Sequence, residues 1–157
     1  MIYLDNAATS LKKPQAVIDA VVDALNHAGN AGRGSSESAL AATRTIFQTR
    51  LQLSQLINNP DPHGISFTHN ATDSLNTVIR GLFQAGDHFI TTVMEHNSVL
   101  RPLYDIMDQV LEVTLLDRGT QGHIEASAVQ AAIRPNTKAM VLTHASNVTG
   151  DINPIKS

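Results

Sequence analysis

Three side chains stand where a sequence of this kind could do chemistry: Thr72, His96 and Asn147. Each follows a short β-prone run that breaks into small or polar residues. The runs are Ile65–Thr68, His88–Val93 and Lys138–Thr143. The loops behind them are Asn70-Ala71-Thr72, Glu95-His96-Asn97 and Ser146-Asn147. The stretch around Thr72 is the most informative. Ile65–Thr68 passes through a tight polar turn into a helix-period segment with Leu75, Val78, Ile79, Leu82 and Phe83 on one face. A strand feeding a helix in this way exposes unpaired backbone N–H groups at the positive helix end, which is an anion site and often a phosphate site. His96, directly after a strand, could serve as an acid–base group or stack on a planar ligand. Asn147 could hold a ligand oxygen. Ordinary roles also remain open: a helix cap for Thr72, a surface loop for His96, a turn position for Asn147.

Other candidates are weaker. Asp5-Asn6-Ala7-Ala8-Thr9-Ser10 is a small polar loop that would let backbone lie close to a ligand. Gly29-Asn30-Ala31-Gly32-Arg33-Gly34 has the spacing G-x-x-G-x-G after a helix, with no lysine following. It therefore fits neither the dinucleotide fingerprint nor the P-loop. A flexible connection carrying one functional arginine, Arg33, and a plain linker are both compatible with it. The seven histidines show no i, i+4 pair or H-x-x-H arrangement, and with no cysteines a metal site is not expected. No G-x-S-x-G elbow is present. Asn70-Ala71-Thr72 and Asn147-Val148-Thr149 match the glycosylation pattern, which carries no weight without a secretory signal.

The elements that must position these residues alternate. Pro14 opens a helix with Val17, Val21, Ala24, Leu25 and Ala28 as its expected buried stripe and Gly29 as its stop. Glu37–Ile57 reads as a long amphipathic helix with Leu40, Thr43, Ile46, Phe47, Leu53, Leu56 and Ile57 facing one way. Breakers at 58–64 precede the stretch at 65–76. Beyond Gly86 come a strand at 88–93, a helix at 99–107 with Pro102 in its first turn, and a strand at 111–116. A turn at 117–122, a short helix at 125–132 and a strand at 138–143 complete the pattern. Strands joined by helical crossovers predict an α/β fold: a mainly parallel sheet with helices on both faces. Ligands on such a sheet collect beyond the carboxyl ends of the strands, where the three loops would meet.

Bulk properties set the frame. A chain of 157 residues that is 42% hydrophobic and 16% charged can form a real core. A net charge of -3, with 11 scattered basic residues, gives no electrostatic reason to expect nucleic acid. No basic leader opens the sequence and no apolar run approaches ~18 residues, so a cytoplasmic protein without a membrane span is expected.

Read in order, four motifs resemble one family. They are Tyr3-Leu4-Asp5-Asn6-Ala7-Ala8-Thr9-Ser10 with Lys13-Pro14, then Phe67-Thr68-x-x-Ala71-Thr72-Asp73-Ser74-x-Asn76, then Glu95-His96-Asn97-Ser98. The last is Thr143-His144-x-Ser146-Asn147-Val148-x-Gly150. From about Ile2 onward the chain resembles the class V aminotransferases of fold type I, in particular the cysteine desulfurase/selenocysteine lyase branch. The resemblance implies pyridoxal 5′-phosphate (PLP) as cofactor, with Ala71 and Thr72 at its phosphate. It implies His96 stacked on the pyridine ring and placed for proton transfer, and Asn147 at the phenolic oxygen. Asn6, Ala7 and Arg33 match substrate-side segments. The implied reaction takes sulfur from L-cysteine, leaving L-alanine and an enzyme persulfide. A homodimer and a sulfur-acceptor protein are the implied partners.

The family's Schiff-base lysine, its aspartate to the pyridine nitrogen, its persulfide cysteine and its carboxylate-binding arginine have no counterpart in these residues. Lys12, Lys13, Lys138 and Lys156 occupy none of the matching positions. The chain is thus expected to be the N-terminal part of the PLP-binding large domain. Residues 1–36 would form an N-terminal segment and loop, and 37–157 the start of the α/β core. Alone it would be inactive. Alternatives are another class V enzyme (an aminotransferase, epimerase-like or kynureninase-like) or a non-catalytic binding or dimerising module. The family strand order 3-2-4-5-6-7-1 makes 88–93, 111–116 and 138–143 contiguous as strands 2, 3 and 4. It leaves 65–68, strand 1, without sheet neighbours.

Overall fold

The computed structural model describes residues 2–107, 111–119 and 122–155. Part of the turn expected at 117–122, and Lys156, lie outside the described residues. The chain forms two compact units, Met1–Phe67 and Thr68–Ser157.

In the first unit, α1 spans Gln15–His27 and α2 spans Glu37–Leu56. Pro14 precedes the first helical residue of α1, where extended backbone (φ -56, ψ 143) turns into the helix. Ser36 caps α2 by accepting from the Ala39 N–H. The glycine-rich connection turns at Ala31 and Gly32, and Gly29 N–H donates to the Ser38 carbonyl at 3.2 Å. A Cβ on Gly29 would stand 2.7 Å from the Ala39 nitrogen, so only glycine lets the end of α1 approach the start of α2 this closely. The expected burial of the α1 stripe is corrected: Val17, Val21, Ala24, Leu25 and Ala28 are all exposed. The apolar period is there without the burial. The α2 face is likewise mostly open, with Leu56 and Ile57 exposed and Leu53 half-buried.

Residues 65–68 do not form a strand. They pair with no strand among the described residues, and a strand exists only through its ladder.

The second unit holds a three-stranded parallel sheet ordered β2-β1-β3, with β1 at Asp87–Thr92, β2 at Leu111–Leu116 and β3 at Thr137–Met140. This is the 3-2-4 arrangement the family order implies for these strands. Helix α4 (Asn97–Met107) connects β1 to β2, and α5 (Ala126–Ala132) connects β2 to β3. Alternation along β1 puts Phe89 and Ile90 on opposite faces. Phe89 packs with Leu103 of α4, Leu111 and Phe83, while Ile90 packs with Leu116, Ile124 and Val129 of α5. Helices therefore cover both faces, as expected. Helix α3 (Ala71–Leu82) buries Ile79 and packs on α4, whose own stripe is Ser98, Val99, Pro102 and Leu103. Because α4 starts at Asn97, Pro102 lies in its second turn rather than its first. β3 ends three residues before the expected Thr143. The chain stays tied to β1 a little further, through Val141 N–H donating to the Ile90 carbonyl at 3.0 Å.

The two ends of the sheet differ in kind. At the end where the strands begin, His88 is fully buried between Thr137 of β3 (2.8 Å) and Thr114 of β2 (2.9 Å). At the other end, β1 and β3 lead to the loops that carry His96 and Asn147.

Candidate active site

Thr72 sits in the first turn of α3, and the cap is Asn70, whose side-chain oxygen accepts from Asp73 N–H at 2.9 Å. Asp73 is thereby satisfied, while Ser74 N–H is bonded to the Asn70 carbonyl at 3.1 Å. The N–H groups of Ala71 and Thr72 have no helical acceptor at this position, and none is found among the described residues. These are the two donors an anion would meet. The Asp73 carboxylate turns back toward His69, at 3.3 Å from its Nδ1.

His96 occupies the N-cap position of α4, with its carbonyl accepting from Val99 N–H at 2.8 Å. Its Nδ1 accepts from Ser98 N–H at 3.1 Å and also meets the Ser98 hydroxyl. A ring nitrogen that accepts from a backbone amide cannot carry the proton of the neutral ring. The neutral imidazole therefore holds its proton at Nε2.

Both residues line one groove of about 230 Å³ between α3 and α4, with Asn76, Arg80, Asn97, Ser98, Arg101, Pro102 and Asp105 as the other walls. Arg80 is held to Asp105 at 2.5 Å and reaches Asn76 at 3.4 Å. Two helix N-termini, a hydroxyl and an imidazole thus meet in one cleft, which suits a ligand with an anionic end and a planar body.

Asn147 does not line that groove. It stands in a tight exposed turn whose base is the bridge Ala145–Ile152. Ser146 Oγ accepts from the N–H groups of Val148 and Thr149, each at 3.2 Å. Asn6, Ala7 and Arg33 belong to the first unit. Asn6 and Ala7 lie in a turn closed by Ala8 and Thr9 N–H on the Asp5 carbonyl, and Arg33 N–H donates to the Asn30 carbonyl at 3.4 Å.

Sequence reasoning singled out His96 and passed over its neighbour. The Glu95 side chain is buried, at 8% exposure, and accepts from Thr92 Oγ1, Thr143 N–H and Thr143 Oγ1 at 2.7, 2.8 and 2.6 Å. The available signal was its sequence position. An acidic residue just past a strand buried from His88 to Thr92 must find donors or be expelled. Among the described residues, no group of three or more His, Asp or Glu side chains is placed to hold a metal. No helix there is long and apolar enough to cross a membrane.

A parallel sheet with helices on both faces and a polar groove between α3 and α4 defines an α/β domain. Comparison with known proteins makes that class specific. The aminotransferase class-V family model matches residues 2–157, and the chain belongs to that family. It is 33% identical to a probable cysteine desulfurase of Vibrio cholerae, over all of this chain and 40% of the relative. The apo cysteine desulfurase structure from Thermococcus onnurineus superposes with a TM-score of 0.87 at 31% identity, over 98% of this chain and 39% of that one. SspA in complex with cysteine superposes equally well, with a TM-score of 0.87 at 29% identity, over 98% of this chain and 45% of that one. The chain thus spans about two fifths of the length of such relatives.

Proposed function

We propose that these residues are the N-terminal part of the large domain of a PLP-dependent cysteine desulfurase. The observation that carries the reading is the shared groove: the open helix end at Thr72 and the imidazole of His96 line one cleft. The residues fit the cofactor's chemistry. Unbonded N–H groups at Ala71 and Thr72 suit a phosphate, and a ring with its proton at Nε2 suits a flat, polar heterocycle beside it.

Ala71 and Thr72 would bind the phosphate. His96 would stack on the ring and hold or move a proton at Nε2. Asn147 would meet the ring's oxygen. Asn6, Ala7 and Arg33 would serve the substrate side. When bound, PLP supplies the electron sink for bond cleavage in an amino acid, and the protein supplies orientation and proton transfer. The substrate is L-cysteine, the product L-alanine, and the sulfur passes to a cysteine thiolate. This chain contains no cysteine, so that thiolate is not among its residues. The working form is a cytoplasmic homodimer that hands sulfur to an acceptor protein.

The similarity to cysteine desulfurases supports this reading. With PLP, L-cysteine and a thiol reductant, the 157-residue chain alone is expected to release no sulfide. A protein of the relatives' length carrying this segment is expected to form alanine and sulfide in equal amounts. Steady sulfide release by the short chain, or an amino acid other than cysteine as the long protein's preferred substrate, would overturn it.

A further inference from the structure

The loops bearing His96 and Asn147 leave adjacent strands, β1 and β3, at the same edge of the sheet. What fixes one against the other is a short buried polar chain. Glu95 Oε1 accepts from Thr92 Oγ1 (2.7 Å) and Thr143 N–H (2.8 Å), and Oε2 accepts from Thr143 Oγ1 (2.6 Å). On its other side, the Thr143 carbonyl accepts from Asn153 Nδ2 at 2.7 Å. Asn153 is 3% exposed, takes Ile124 N–H on Oδ1 at 3.0 Å, and donates its own N–H to the His144 carbonyl at 2.8 Å. Thr143 is therefore gripped by side chains at its N–H, its hydroxyl and its carbonyl. It lies between the end of β3 at Met140 and the turn that carries Asn147.

We propose that Glu95 is a positioning residue: through Thr143 it clamps the Asn147 turn to the His96 loop and so sets the relative placement of those two side chains. The inference rests on the reading of His96 and Asn147 as ligand-binding groups. The physical reason for a carboxylate is specific. Three donors converge on two oxygens in a buried site, and an apolar side chain would leave all three unsatisfied. Glutamate is also adjacent to His96 in sequence, so a shift of its carboxylate moves the histidine backbone directly. Glutamine keeps one oxygen for Thr92 Oγ1 and Thr143 N–H. It offers N–H where Oε2 stood, and the Thr143 hydroxyl can turn to accept it.

Amide hydrogen exchange on the 157-residue chain separates a local clamp from general stability. E95L is expected to speed exchange at least tenfold both at residues 97–100 and at residues 143–153, with Phe89 and Ile90 unchanged. E95Q is expected to stay within twofold of the parent at every one of these amides. T143V, which removes one bond and keeps the backbone donor, is expected to loosen both loops about threefold. The proposal is overturned if only one loop responds, or if neither does. It is also overturned if T143V accelerates the Phe89 and Ile90 amides as much as the loops, which would mark a general stabilising role.

A parallel titration with PLP, followed by ligand absorbance, keeps the two readings apart. If the parent chain takes up PLP, E95L is expected to weaken it at least fivefold and E95Q less than twofold; equal affinities would overturn the clamp's role in the site. If the parent takes up none, the cofactor reading of this chain fails, and the exchange pattern still decides whether the clamp exists.

Discussion

At the scale of residues, Asn70 and His88 show how one side chain governs its surroundings. Asn70 caps α3 and thereby leaves Ala71 and Thr72 as the open donors. Replacing it with alanine removes that bond and is expected to lower stability by about 1 kcal/mol, measured by urea denaturation. His88 works at the other end of the sheet. Burial first, and then the neighbouring Arg134 guanidinium, lower its pKa from the ordinary 6.5, with Glu112 opposing them. The fold thus prefers the neutral ring, and the unfolded chain binds the proton more readily. The contribution of His88 is complete above the unfolded value and is lost as pH falls through the folded one. The urea midpoint is therefore expected to drop as pH is lowered from 7.5 to 5, and H88N should flatten that slope. A midpoint that rises over this range would refute the assignment.

At the scale of elements, the sheet owes its centre to β1, whose residues from His88 to Thr92 are all buried. Phe89 meets Phe83 edge-on, with ring centroids 5.1 Å apart, and also packs on Leu103 and Leu111. Truncating it in F89A should cost about 3–5 kcal/mol, read from chemical denaturation. The Arg80–Asp105 pair is shorter but largely exposed, at 48% and 61%, so D105A should change stability by no more than about 1 kcal/mol. This contrast also explains what the sequence could disclose. Period and breakers located α1 to α5 to within a few residues, because a helix declares its own face and caps. Strand pairing is non-local. The run at 65–68 has β-prone residues but no strand partner among the described residues, and composition cannot supply one. The central place of β1 follows from its unbroken burial only once its neighbours are known.

At the scale of the whole molecule, the site was legible as separate loops and illegible as a geometry. Strand-end logic picked out Thr72 and His96, which do share a groove. It could not reveal that Glu95 and Asn153 grip Thr143 from two sides, because those bonds join residues 48 and 10 positions apart. The apolar stripe of α1 makes the same point in reverse. Periodicity says which face of a helix is apolar, not what covers it, and Leu25 is 83% exposed. The motif series did more than any local rule, because four modest patterns in a fixed order identify a family whose model matches 2–157.

The central claim is that Thr72 and His96 form one cofactor groove. Titrating the ¹⁵N-labelled chain with PLP, with pyridoxal as the phosphate-free control, tests it most directly. Saturable shifts are expected at the amides of Ala71, Thr72, Asn97 and Ser98, with those at Ala71 and Thr72 missing for pyridoxal. H96A should weaken PLP about fivefold, the equivalent of about 1 kcal/mol of stacking. Shifts confined to other surfaces, identical responses to pyridoxal and its phosphate, or undiminished affinity in H96A would contradict the account.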